Sequence, residues 1–169
     1  MGTFSHKEVE YVKSQRLARV ARADAHGSPH VVPVDFRVSD EGSTIDVGGH
    51  DFAKSKKWRD LQVNSRVAIV IDDLASVDPW TPRGLEVRGT AELHDTGGEK
   101  FGTGWAAAWA RVVPHRVLSW GIEAPPFTEG SFRSWSVAER SPQAKWSFSK
   151  QSLKALYFQS LKKYSMIHV

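Results

Sequence analysis

Two lysines open the run His50-Asp51-Phe52-Ala53-Lys54-Ser55-Lys56-Lys57-Trp58-Arg59 in a way that invites an anion. At 100° per residue Lys54, Lys57, Trp58 and Leu61 share one helical face, whereas Lys56 and Arg59 point away from it. Cations in a first helical turn oppose the helix dipole and cost a few tenths of a kcal/mol each. A bound anion reverses that sign, because it meets the lysines, the free backbone N–H groups and the dipole together. Gly48-Gly49 just upstream lets the chain approach such a ligand closely. The competing reading is a solvated basic helix whose lysine stems lie along the core. The pattern is neither a P-loop nor a dinucleotide fingerprint.

Two further stretches can line a site. In His30-Val31-Val32-Pro33-Val34-Asp35-Phe36, Pro33 cannot donate to a ladder, so it marks a bulge, an edge, or backbone that a flat ring can use. In Asp72 to Gly84, Trp80 and Arg83 are candidate pocket walls or loop anchors. The aspartates there follow no calcium-loop spacing and have no histidine partner, so no metal site is expected. The seven histidines never adopt a ligand spacing, and no serine sits in a nucleophile elbow. With no cysteine there is no thiol nucleophile, thiolate zinc site or disulfide. No catalytic constellation of side chains stands out, and any enzymatic chemistry falls to a bound cofactor.

The positioning elements follow from periodicity. A short amphipathic helix is expected over residues 7–16, with Val9, Val12, Lys13 and Arg16 near one face. Strands follow at 17–22, 30–38 and 44–49, joined by turns at 24–29 and 40–43. A helix of about three turns spans Asp51 to Asn64, with Asp51 as N-cap and Asn64 as its end. Residues 66–72 and 84–94 read as strands separated by a long, stiff loop, Asp73 to Arg83. Trp105 to Ala110 reads as a helix, and Pro114 to Glu123 as the last strand. About six strands with two or three helices suit a small antiparallel barrel, mainly β, whose closure removes exposed edges.

The 169 residues, 40% apolar and 25% charged, fit one core. A domain is expected over 1–126, with a basic extension over 127–169 that is a partner-binding arm, a disordered tail or foreign sequence. The net charge of +4 belongs to that extension, where seven Lys or Arg face two acids, against sixteen and seventeen in the body. This distribution argues against nucleic acid as a partner. No apolar run approaches the roughly 20 residues of a membrane span, and Met1 to Lys7 lacks a signal-peptide core, so a cytoplasmic location is expected.

In this order, the motifs 17–21, Gly27 to Val34, Gly48 to Leu61, Asn64 to Ala68, Asp78 to Gly84 and Ser119-Trp120-Gly121 resemble the pyridoxamine 5'-phosphate oxidase-like flavoproteins of the FMN-binding split β-barrel type. The likeness covers residues 7–124 and is nearest to the actinobacterial branch that depends on the deazaflavin coenzyme F420. It implies a split antiparallel β-barrel and a homodimer with the cofactor in an interface groove. It puts Lys57, with Lys54 and Lys56 beside it, at the cofactor phosphate, and Val32, Pro33 and Val34 along the deazaflavin ring. Gly49 and His50 fall near the phosphate linker, and Trp80, Arg83 and Trp120 are possible walls. Relatives often carry Asn-Pro-Arg where this chain has Asn64-Ser65-Arg66, a harmless change in a turn, and the tail beyond Pro126 has no counterpart. The implied function is an F420-dependent reductase delivering a hydride to a small unsaturated or carbonyl substrate, with solvent or His50 as proton source. The alternatives are an FMN-dependent oxidase or flavin reductase of the same fold, and a non-enzymatic protein that stores a cofactor or sequesters a ligand such as heme or a fatty acid.

Overall fold

The structure is a computed structural model and describes residues 2–137. Helix α1 (His6–Ser14) starts on a reciprocal cap: the Ser5 hydroxyl accepts from the Glu8 amide at 3.2 Å, and Glu8 accepts from the Ser5 amide at 2.8 Å. Its inward side centres on Glu8, Tyr11 and Val12, while Lys13 is exposed. Strands β1 (Ala18–Ala23), β2 (Pro29–Val38) and β3 (Ile45–Gly48) fall where alternation puts them. Helix α2 (Lys56–Val63), β4 (Arg66–Ser76), β5 (Thr81–His94), β6 (Trp109–Trp120) and β7 (Phe132–Ser136) complete the order.

Four expectations are corrected. The second helix does not start at Asp51, which takes a left-handed φ of 49° and makes no side-chain cap. A single 3-10 turn (Phe52–Lys54) comes first, and Ser55 then caps α2 by accepting from the Trp58 amide at 3.2 Å. Asn64 does end it. The stretch from Asp73 to Arg83 is a hairpin rather than a long loop, since Asp73 pairs with Arg83 and Ser76 with Thr81. The Asp73 carboxylate grips the Arg83 guanidinium at 3.0 and 2.6 Å, which zips the strands past the prolines. Residues 105–108 are not helical, and the last predicted strand begins earlier, at Trp109. Tertiary packing overrides alanine's helix propensity there: the Trp105 indole donates to Asp35 at 2.6 Å, and Trp109 stacks on His94 at 4.1 Å. Finally, β7 lies beyond residue 126 yet joins the sheet and buries Trp135. The rest of the expected extension, from residue 138, lies outside the described residues.

All pairings are antiparallel, in the order β3-β2-β1-β4-β5-β6-β7, and β3 also pairs with β6. Six strands therefore close a barrel, mainly β as expected. The outer edge of β6 is shared: Ala110–Val112 takes β3, and Arg116–Trp120 takes β7. One inward row crosses six of the seven strands in register, from Val32 through Val20, Ile69, Val87 and Val117 to Trp135. Opposite Gly89, Pro114 sits beside a bulge that leaves His115 as the extra residue, a place where its missing N–H is tolerated.

On the outside of the barrel, Gly84 lies directly across from Trp120, whose indole occupies the space a Cβ would fill. Gly84→Ala forces the ring or the strand to move. Overpacking of this kind costs about 1–3 kcal/mol, so a lower urea midpoint with an unchanged slope is expected. A midpoint equal to the wild type would show that Trp120 does not press on this glycine.

Candidate functional site

The start of α2 is built around a buried charge. Arg22 continues the inward parity of Ala18 and Val20 on β1, so its side chain enters the barrel and is 3% exposed. Its Nε donates to Asp60 of α2 at 3.0 Å, while its Nη1 is buried with no hydrogen-bond partner among the described residues. An unsatisfied buried N–H is costly, more so on a cation.

The three lysines have different fates. Lys56 is exposed but paired: its ammonium bonds Asp60 at 2.9 and 3.1 Å and lies 3.6 Å from Asp24. Lys54, ahead of α2, is exposed and pairs with Asp51 at 3.3 Å. Lys57 is half-buried, with its ammonium 5.9 Å from the centre of the Phe52 ring, and it forms no ion pair among the described residues. Burial, and then the charge of Arg22, push the Lys57 ammonium below its ordinary pKa. Three cations, Arg22, Lys56 and Lys57, thus stand near two carboxylates, Asp60 and Asp24, both already engaged by Arg22 or Lys56. The arrangement lacks one negative charge.

Beside it runs free backbone. Strand β3 pairs with β2 only over Asp35–Val38, so along Pro29–Val34 the edge away from β1 has no strand among the described residues. Val31 and Pro33 face out, Val32 is half-buried against the core, and Val34 is buried. At the end of β3, Gly49 takes φ 139° with open space where a Cβ would stand, and its carbonyl accepts from the Ala106 amide at 3.2 Å. His50 is exposed and packs by Gly104.

Trp80 and Arg83 are not part of this cluster within one chain. Arg22 lies opposite Val67 near the start of β4, and Trp80 sits in the turn beyond its far end. At about 3.3 Å per residue the two ends are roughly 30 Å apart. There the Arg83 guanidinium is held by Asp73 and lies over the Tyr11 ring at 5.3 Å, and the Tyr11 hydroxyl donates to Asp73 at 3.2 Å. Burial first, then the Asp73 charge, push the Tyr11 phenol upward. Trp80 is 59% exposed and stacks on Phe127 with ring centres 5.7 Å apart. Of the predicted site residues, the structure gathers Lys57, Val32, Pro33, Val34, Gly49 and His50 along one side of the barrel. It sets Lys54 and Lys56 in ion pairs beside them and places Trp80 and Arg83 at the other end.

Arg22 is the residue that sequence reasoning missed. The signal was its parity: in Leu17-Ala18-Arg19-Val20-Ala21-Arg22 it shares a face with Ala18 and Val20, and an inward arginine needs a reason.

The closed barrel with two helices is the split-barrel fold. Residues 4–129 match the pyridoxamine 5'-phosphate oxidase family, and the chain belongs to it. It is 40% identical over 120 residues, 71% of this chain and 84% of the relative, to the 5a,11a-dehydrotetracycline/5a,11a-dehydrooxytetracycline reductase of Streptomyces rimosus. Family and relative together put the chain among the oxidoreductases. Among solved structures, HupZ of Group A Streptococcus superposes with a TM-score of 0.58 at 18% identity, over 75% of this chain and 100% of that one. An FAD-binding protein from Mycobacterium smegmatis gives 0.53 at 18%, over 80% and 99%. These two likenesses are of fold. Among the described residues no helix is long and apolar enough to cross a membrane.

Removing Asp60 leaves Arg22 buried without its counter-charge. Asp60→Ala is expected to cost about 3–5 kcal/mol in urea unfolding, the loss typical of breaking one side of a buried pair. Burial alone would raise the Asp60 carboxyl, but the Lys56 hydrogen bond and the charges of Lys56 and Arg22 hold it below its ordinary value of 3.8. A carboxylate depressed in the folded state contributes stability that is complete above its unfolded pKa and is lost as pH falls through the folded one. Acid titration of stability should therefore steepen below about pH 4 in the wild type and be shallower there in Asp60→Ala. Equal slopes would contradict the assignment.

Proposed function

We propose that the protein is an F420-dependent reductase, acting as a homodimer and passing a hydride to a small unsaturated or carbonyl substrate. The observation that carries this reading is the charge deficit at α2, where buried Arg22 Nη1 and half-buried Lys57 share no anion. That donor set fits a phosphate: one guanidinium N–H, one ammonium and the first turn of a helix. The relative named as a reductase of dehydrotetracyclines, a conjugated polycyclic class, supports reduction as the direction of the chemistry.

The chemistry supplied by the bound cofactor is a two-electron hydride from C5 of its reduced deazaflavin ring. The chain's own part is positional. Lys57 and Arg22 hold the phosphate, with Lys54 and Lys56 reinforcing the field around it. The free edge of Val32, Pro33 and Val34 offers backbone groups to a ring laid against it. Gly49 leaves the linker room, and the proton that completes a reduction comes from solvent or from His50. Holding donor and acceptor at contact distance and excluding water are the main sources of rate.

The homodimer has a candidate face. Ala21, Ala68 and Val70 form a small half-buried apolar strip on the outside of β1 and β4, with Val31 63% exposed beside Ala21. No element among the described residues covers it. Because Trp80 lies roughly 30 Å from Lys57 along β4, it joins a cofactor site only by coming from the partner subunit. Arg83, tied to Asp73, then serves by fixing the hairpin that carries Trp80.

Paired titrations by tryptophan quench test the reading. F420 should bind in the micromolar range or tighter and FMN at least tenfold more weakly. Lys57→Ala should cost about 1–3 kcal/mol of F420 affinity, some ten- to hundredfold. Preference for FMN would move the protein to a flavin oxidase or flavin reductase. Binding of F420 with no oxidation of its reduced form by enones or quinones would make it a carrier. An unchanged affinity in Lys57→Ala would remove the anion site.

A further inference from the structure

A groove lies away from α2. It has a volume of about 880 Å³ and runs between the end of α1 and the β2–β3 hairpin, at the opposite end of β2 from Lys57. Arg37 and Pro29 mark those two ends of β2, roughly 25 Å apart. A volume of this size is that of a small-molecule site.

The groove holds more positive charge than its acids can balance. Across three strands Arg37, Asp46 and Arg111 stand side by side in register. Asp46, 2% exposed, is fully engaged by Arg111 at 2.8 and 2.9 Å. A further acid, Asp35, is exposed and accepts from the Trp105 indole at 2.6 Å and from the Phe36 amide at 2.9 Å. Lys13, Arg16 and Arg37 have no carboxylate within 4.0 Å among the described residues, and Lys100 rests on aromatic faces, 4.9 Å from Phe101 and 5.1 Å from Trp109. Against these four cations stand Asp35, whose neutral donors leave its charge in place, and Asp40 and Glu41 on the hairpin, all three exposed, so the lining keeps one positive charge in excess. The apolar part of the lining comes from Val12, Phe36, Val38 and Phe101.

We infer that this groove is a second ligand site, which takes a carboxylated or phosphorylated molecule with a flat apolar body. The Arg37 guanidinium presents a planar fork suited to a carboxylate or phosphate, and Lys100 adds a second charge beside the Phe101 ring. Convergent unpaired cations over a low-dielectric wall raise the local concentration of such an anion before it docks. The undescribed C-terminal residues do not suit the groove, because 138–169 carry six Lys or Arg against one acid. The inference is independent of the cofactor reading, since it uses none of the residues at α2.

The test is calorimetric titration with 2-naphthoate, alongside 2-naphthylmethanol as its uncharged counterpart. Saturable binding of the carboxylate is expected, at least tenfold tighter than the alcohol. It should be retained in Lys57→Ala and weakened tenfold or more in the double variant Arg37→Gln/Lys100→Gln. Both replaced side chains are exposed, and Arg37→Gln alone should show a smaller loss in the same direction. No saturable binding, equal affinity for the alcohol, or loss in Lys57→Ala with retention in the double variant would each overturn the inference, and only the last would bear on α2.

Discussion

The buried pair of Arg22 and Asp60 is the contact on which the rest of the site depends. A guanidinium placed on the inward face of a barrel strand has to be neutralised, and Asp60 does so only if α2 lies against β1 in one orientation. That orientation turns Lys56 back onto Asp60 and leaves Lys57 half-buried near Arg22 with no acid of its own. The ion pair thus fixes both the helix and the unbalanced charge at its start. An apolar pair would dock the helix as well, but would offer an anion nothing.

Barrel closure supplies the second constraint. β6 gives half its edge to β3 and half to β7, and the short β3 reaches only Asp35–Val38 of β2, so over Pro29–Val34 the β2 edge away from β1 has no strand among the described residues. Sheets normally cover or blunt such an edge, and here only Pro33 does so. Two close approaches keep the frame tight around it: Trp105 lies where Gly48 would carry a Cβ, and Trp120 does the same over Gly84. The far end is braced separately. Glu8 is wholly buried and accepts from Ser119 at 2.8 Å and from Arg133 at 3.3 Å, tying α1 to β6 and β7.

Strands with strict alternation were legible in the sequence, and so was the lysine cluster, since both signals are local. What escaped depended on contacts between distant residues. Asp51 looks like a cap until the left-handed turn after Gly49 takes its carboxylate out of reach. Trp105-Ala106-Ala107-Ala108 has helical propensity that indole packing on Gly48 overrules. The two prolines near Trp80 suggest a loop, yet the Asp73–Arg83 bridge continues the ladder to Thr81. In β7 only Trp135 is buried, too little for a periodic signal. Arg22 was visible only by its parity with Ala18 and Val20. The likeness to the split-barrel family carried the fold and the family; the placement of Trp80 and Arg83 far from Lys57 required coordinates.

The central claim is that Lys57 and Arg22 are held close to one another to receive a phosphate. Its most direct measurement is the titration of the Lys57 ammonium, followed by NMR on isotope-labelled protein with and without F420. The account predicts a pKa below that of the exposed lysines in the free protein, rising when the cofactor binds as the missing negative charge arrives. A Lys57 that titrates like the exposed lysines, or that does not respond to bound cofactor, would contradict it.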